Sequence, residues 1–159
     1  MPTENEKQEL GGYTADLGIN EKVMVAIVKA SETYKKNAGA IFRNYGLTFS
    51  QYNVLRVLCN SPNGRNTITT TSRIMLVSGA NMTGIAKRLE KDGFIIRKSD
   101  TRDERITLLE VTPKGKRTIK NISKQKDRLI NTFLKDFSEE EKKHTLEDIK
   151  CIFTKGMGG

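Results

Sequence analysis

The 159-residue chain has no tryptophan, one histidine, two cysteines and three prolines. Each scarcity removes a class of function. Cys59 and Cys151 lie far apart and lack the spacing of metal ligands, so they supply neither a disulfide framework nor a zinc knuckle, and they suit a reducing compartment. The sole histidine, His144, sits among Glu140, Glu141 and Asp148 and reads as part of a solvated helix face rather than a zinc site. With no His–Cys pair, no glycine-rich phosphate loop and no nucleophile elbow, no residue set is left to carry an enzyme, and no cofactor or metal is implied. No apolar run approaches the ~18 residues that cross a bilayer. The opening MPTENEKQELGGYTAD lacks the apolar core of a secretion signal, which points to the cytoplasm and away from membranes.

Acidic residues are also scarce. Nineteen Asp and Glu stand against 28 Lys and Arg, a net charge of +9, which biases the partner towards nucleic acid or another acidic surface. Hydrophobic residues make up 36% of the chain and charged residues 30%, in keeping with one soluble domain and a modest core.

Residues 1–20 are polar and glycine-bearing and read as a flexible arm. From about Asn20, apolar residues at Val23, Ile27, Ala30, Tyr34, Ala38, Ile41 and Tyr45 recur at helical steps until Gly46. Thr48 and Gln51 form a T-x-x-Q capping box ahead of a second helix with Tyr52, Leu55, Val57 and Leu58. The turn-rich SPNGRN, 61–66, stops it. The next stretch, TITTTSRIM at 67–75, has three consecutive threonines and taken alone reads as strand or loop. The segment after it settles the matter in favour of a helix pair. Ser78 is an N-cap, and Met82, Ile85, Ala86 and Leu89 make an amphipathic helix that Asp92-Gly93 closes. FIIRK at 94–98 and ITLLEV at 106–111 form a hairpin around a polar loop. Thr112-Pro113 opens a long helix through Ile119, Ile122, Leu129, Ile130, Phe133 and Phe137. Ser138 and Glu141 form a second capping box before a final helix with Leu146, Ile149, Ile152 and Phe153. A helix pair followed by a hairpin is the order of a winged helix-turn-helix, whose second helix fits the major groove of DNA.

The segment LVSGANMTGIAKRLEKDGFIIRKSDTRDERITLLEVTPKGK, 76–116, resembles the multiple antibiotic resistance regulator (MarR) family of bacterial transcription factors. The match rests on the serine-capped helix running into R-L-E-K-D-G-F (Arg88–Phe94), and on a short strand bearing Arg97. It rests also on the wing signature D-x-R-D-x-R (Asp100, Arg102, Asp103, Arg105) and on T-P-K-G-K (Thr112–Lys116). The first helix of the motif departs from the family, with Thr71 and Ser72 in place of its usual Leu-Ala pair. The resemblance implies a mostly α fold with a small β-hairpin wing. Residues 47–112 would form the winged helix-turn-helix, and residues 21–46 with 113–155 the dimerisation region. It also implies a cytoplasmic homodimer that reads a near-palindromic operator in double-stranded DNA. Such a regulator commonly represses, and a small aromatic or acidic effector releases it.

On that reading, Ser78, Gly79, Ala80, Asn81 and Thr83 form the turn that faces base edges, and Asn81 is suited to pair bidentately with adenine. Lys87 is a further DNA contact, and Arg88 is either another or the partner of an acid within the domain. Arg97 and Lys98 flank the wing and face phosphates. Arg102, at the wing tip, enters the minor groove. Asp100 and Asp103 orient the wing arginines through charge-assisted hydrogen bonds. Arg105, at the wing base, either ties the wing to the helix pair or meets a phosphate. Tyr34, Phe42, Tyr45 and Tyr52 line an effector pocket or belong to the core and dimer seam. Redox control through a cysteine is the alternative route of regulation. Nonspecific DNA binding or protein interaction is the alternative use of the fold.

Overall fold

The computed structural model describes residues 16–101 and 103–158. The first fifteen residues of the expected arm, and Arg102, expected at the wing tip, lie outside them. Six α-helices and a three-stranded antiparallel sheet make up the described chain. Helix α1 spans Ile19–Arg43 and α2 spans Phe49–Cys59. The capping box of α2 forms as its sequence requires: Thr48 Oγ1 accepts from the Gln51 N–H at 3.2 Å, and Gln51 Oε1 accepts from the Thr48 N–H at 2.8 Å.

SPNGRN is more than a turn. Pro62–Gly64 is a short 3-10 turn, and Arg65–Thr67 is a strand, β1. The next helix, α3 (Ile68–Met75), begins directly afterwards. The helix tolerates its threonines because the Thr70 and Thr71 hydroxyls find Thr67, while Thr69 faces solvent. Thr67 Oγ1 caps the Thr70 N–H at 3.0 Å. Thr71, fully buried, donates to the Thr67 carbonyl at 2.7 Å. A polar residue thus fills a core position without leaving an unmet hydrogen bond. Helix α4 (Gly79–Lys91) follows, capped by Ser78, whose hydroxyl accepts from the Asn81 N–H at 3.3 Å.

Strands β2 (Ile95–Ser99) and β3 (Thr107–Val111) form the wing, and the strand order is β1-β3-β2. Leu109 sits at the centre of the register, opposite both Asn66 and Arg97, and is fully buried. Helices α5 (Pro113–Leu134) and α6 (Glu139–Met157) complete the chain. The entry to α5 is tightly built. Thr112 Oγ1 donates to the Gly93 and Phe94 carbonyls at 2.8 and 3.0 Å and accepts from the Gly115 N–H at 3.1 Å. A Cβ on Gly115 would stand 2.5 Å from the Phe94 carbonyl oxygen, so the glycine of T-P-K-G-K is a steric requirement.

One core joins these elements: Phe42 from α1, Leu47 from the turn after it, Leu55 and Leu58 from α2, Met82 and Leu89 from α4, Leu109 from β3 and Ile122 from α5. Helix α6 contributes no buried residue. Among the described residues, no helix is long and apolar enough to cross a membrane.

Candidate nucleic-acid interface

Helix α4 is held by its apolar side. Met82, Ile85, Ala86 and Leu89 are buried, which turns Ala80, Lys87 and Lys91 outward. At 100° per residue, Ala80, Gly84, Lys87 and Lys91 fall in one line opposite the core, with Asn81 and Arg88 on one flank and Thr83 on the other. Lys91, not among the residues expected to meet DNA, joins this line through the 80-84-87-91 spacing. A Cβ added at Gly79 or Gly84 would meet nothing within 4 Å, so packing inside the chain does not require either glycine. Ser78 caps the Asn81 N–H, and the Gly79 and Ala80 N–H groups have no intrahelical acceptor, which makes this end of α4 suited to a phosphate or a base edge. The Asn81 side chain is exposed at that end. Thr83 is partly tied, its hydroxyl donating to the Gly79 carbonyl at 2.9 Å.

The wing loop is braced by its acids. The Asp100 carboxylate accepts from the Asp103 N–H at 3.2 Å. Asp103 accepts from the Arg105 N–H and Nε, both at 3.0 Å, and from a terminal guanidinium nitrogen at 3.1 Å. Hydrogen bonds from Arg105 hold the Asp103 carboxyl below its usual range. Arg105 is 90% exposed and remains open to an outside anion.

The cations flanking the wing are already engaged. Lys98 Nζ lies 2.9 Å from Glu110 Oε2, and Arg65, brought alongside by β1, lies 3.1 Å from the same oxygen. Hydrogen bonds, first from Lys98 and then from Arg65, lower the Glu110 pKa. Arg97 pairs with Glu90 of α4 at 2.6 Å. It is Arg97, then, that meets an acid of the motif. Arg88 is exposed and makes no ion pair among the described residues.

The four aromatics considered for an effector lie where α1, α2 and α5 meet. Phe42 and Tyr52 are buried and stacked on each other, 3.8 Å between centroids. Burial pushes the Tyr52 hydroxyl pKa up, while nearby Lys126 works in the opposite direction. Tyr34 meets Phe49 and Phe133 edge-on at 6.0 and 6.1 Å. The Tyr45 hydroxyl accepts from the Gln125 amide at 3.0 Å and donates to the Asn121 carbonyl at 3.4 Å. A separate apolar groove of about 270 Å³ lies at the α5–α6 corner, lined by Leu134, Phe137, Leu146 and Ile149 with Lys142 and Thr145. Cys59 is half-buried, and burial raises its thiol pKa, which disfavours the reactive thiolate. Cys151 is exposed.

A helix pair with an open second helix, followed by a braced basic wing, defines a winged helix-turn-helix DNA-binding regulator of the MarR type. Residues 36–122 match the family described as transcriptional regulator SarA/Rot, and the chain belongs to that family. It is 30% identical over 130 residues to the HTH-type transcriptional regulator SarZ of Staphylococcus epidermidis, covering 82% of this chain and 84% of the relative. Among solved structures, AbsC, a MarR family regulator from Streptomyces coelicolor, superposes with a TM-score of 0.82 at 16% identity. That match covers 90% of this chain and 98% of AbsC. Sco3205 of the same organism, a MarR family regulator solved in complex with DNA, gives 0.77 at 20% identity and covers 86% of both chains. These two likenesses concern the fold. The family is one of transcriptional regulators, not enzymes.

Proposed function

We propose that the protein is a cytoplasmic homodimeric repressor that reads a near-palindromic operator and is released by a small aromatic or acidic effector. The observation that carries the DNA-reading part is the outward line of α4, where small residues and lysines face away from the core beside the exposed Asn81. In this reading Ser78, Gly79, Ala80, Asn81 and Thr83 meet base edges, with Lys87 and Lys91 following the groove. The wing enters the adjacent groove through Arg102, with Arg105 at its base and Lys98 towards the phosphates.

The dimer is supported by the apolar residues that the described residues leave uncovered. Val23, Met24 and Val28 on α1, and Leu146, Ile149, Phe153 and Met157 on α6, are exposed apolar residues at helical spacing. A second copy that covered both stripes would set the spacing of the two half-sites through its two-fold axis. Residues 21–46 and 113–155 then act as the dimerisation region, and residues 47–112 as the reading head. An effector is supported by chemistry at the α1–α2–α5 seam. Tyr34 and Tyr52 lie near Lys126, whose ammonium pairs with Asp127 at 2.8 Å, so an acidic aromatic would compete with Asp127 for that cation.

The test is fluorescence anisotropy with duplex DNA from upstream of the protein's own gene and a shuffled duplex, at two salt concentrations. The expected result is salt-sensitive binding at least ~10³-fold tighter to the first. Equal, weak binding to both would overturn operator reading in favour of nonspecific attraction or protein interaction.

A further inference from the structure

Strand β2 is an edge of the sheet, because β3 separates it from β1. An edge strand leaves backbone groups without a sheet partner. At Arg97 that need is met from the recognition helix: the Arg97 N–H donates to Glu90 Oε1 at 3.1 Å. The Arg97 side chain closes the same link, its Nε donating to Glu90 Oε2 at 2.7 Å and a terminal nitrogen lying 2.6 Å from that oxygen. Both side chains are about one-third exposed, at 29% and 33%, so water screens the pair less than it would a freely solvated one. Among the described residues, no other ion pair joins α4 to the sheet.

We infer that Glu90 is a positioning residue for DNA recognition: through Arg97 it bolts the C-terminal half of α4 to the open edge of the wing and sets the angle between them. The inference rests on the docking proposed above. DNA fixes the distance between the groove that takes α4 and the groove that takes the wing. A rigid link lets the wing contact follow from helix docking with little further loss of freedom, whereas a loose wing must be ordered on binding. The link makes backbone and side-chain bonds from one carboxylate, so it constrains strand direction as well as the position of one arginine. It also sets a role for Arg97: its Nε and one terminal nitrogen are committed to Glu90, and its contribution is alignment rather than phosphate neutralisation. The depressed Glu90 pKa, due first to the side-chain hydrogen bond from Arg97, agrees with a carboxylate held charged in this pair.

The experiment is a double-mutant cycle in the full chain: Glu90→Gln, Arg97→Gln and both together, with Arg97→Lys as a fourth variant. Each is titrated against the upstream and shuffled duplexes over a salt series, after urea unfolding has fixed conditions in which it is folded. If the wild type fails to discriminate the duplexes, the docking itself is wrong and this inference falls with it. Given wild-type discrimination, the singles and the double should each lower the operator-to-shuffled ratio by a similar ~10-fold, because removing either partner already breaks the unit. Arg97→Lys should behave like Arg97→Gln, and the salt slope should hold. A slope that falls by ~0.9 on losing Arg97, whether or not Glu90 is present, would make Arg97 a phosphate contact and overturn the inference. So would an unchanged ratio in all variants, or a parallel loss on both duplexes.

Discussion

The winged half and the terminal helices use the same kind of amphipathic helix, yet among the described residues α4 has its apolar stripe buried and α6 does not. In α4 the apolar stripe is buried to the last residue, from Met82 to Leu89. In α6 a stripe at helical spacing, from Leu146 to Phe153, meets nothing among the described residues that buries it. Periodicity therefore tells which side of a helix wants cover, and the rest of the fold tells whether the cover is intramolecular. The difference agrees with the proposed homodimer, in which a second copy would cover the α6 stripe.

Truncation after Phe137 should produce the largest effect. The variant should run as a monomer or aggregate in light scattering, and operator affinity should fall by ~10² or more as the half-sites lose their linkage. A well-behaved dimer would break the comparison, since α6 would then not be the seam. Next in size is a pair of matched truncations. Leu89→Ala should cost about 2–5 kcal/mol in urea unfolding, whatever the protein concentration. Leu146→Ala should instead make stability more dependent on concentration. A reversal of these two behaviours would mean that the exposed stripe is not an interface.

Arg102→Ala probes the reading head alone. It should weaken operator binding by about 1–3 kcal/mol, measured by anisotropy, with the dimer intact by light scattering. Unchanged affinity would remove the wing tip from the contact surface.

Much of this was legible in local sequence because the relevant interactions are local. The T-x-x-Q box of α2 and the S-x-x-E box of α6 join residues three apart, and both form. Strand β1 was hidden in SPNGRN because nothing within three residues makes a strand. Its pairing partner, β3, lies more than forty residues away. The helix over TITTTSRIM rests on hydroxyl-to-backbone bonds, which a propensity scale does not count. Glu90 is not legible in the sequence as a site residue for a similar reason. It reaches Arg97 across a helix end and a glycine turn, a spacing outside the three- and four-residue steps that reveal helix-face pairs. The four aromatics could be placed on helix faces from the sequence, but which of them stack on each other depends on how α1, α2 and α5 cross.

A smaller effect is expected from pH. Glu90, Asp103 and Glu110 all have carboxyl pKa values lowered by their basic partners. A pKa lower in the folded than in the unfolded state adds stability above the unfolded value, near 4 for these groups, and that stability is lost as pH falls through the folded value. The wing should therefore hold from neutrality down to about pH 4 and loosen below it. Hydrogen exchange of the wing amides would show this as protection lost on acidification before the α2 and α4 amides lose theirs. Simultaneous loss would mean that the wing and core open as one unit.

The smallest expected effect lies inside the helix-turn-helix, where two turns of like geometry carry different residues. Helix α4 ends with Gly93 at φ +75°, and the Phe94 N–H reaches back to the Leu89 carbonyl at 2.9 Å. Helix α3 ends in the same way, the Val77 N–H reaching the Ser72 carbonyl at 3.1 Å, but the left-handed position holds Leu76 at φ 52°. A leucine there is strained against its own carbonyl, and at 58% exposure its side chain recovers little through packing. Leu76→Gly should relieve that strain. Against it stands the greater backbone freedom of glycine in the unfolded chain, so the net gain should be only about 0.5–1 kcal/mol in urea unfolding. If the variant is stabilised and operator affinity is unchanged, the leucine is a tolerated blemish in the turn. If stability falls instead, the Leu76 side chain has packing that its exposure does not show, and this turn is not equivalent to the one at Gly93.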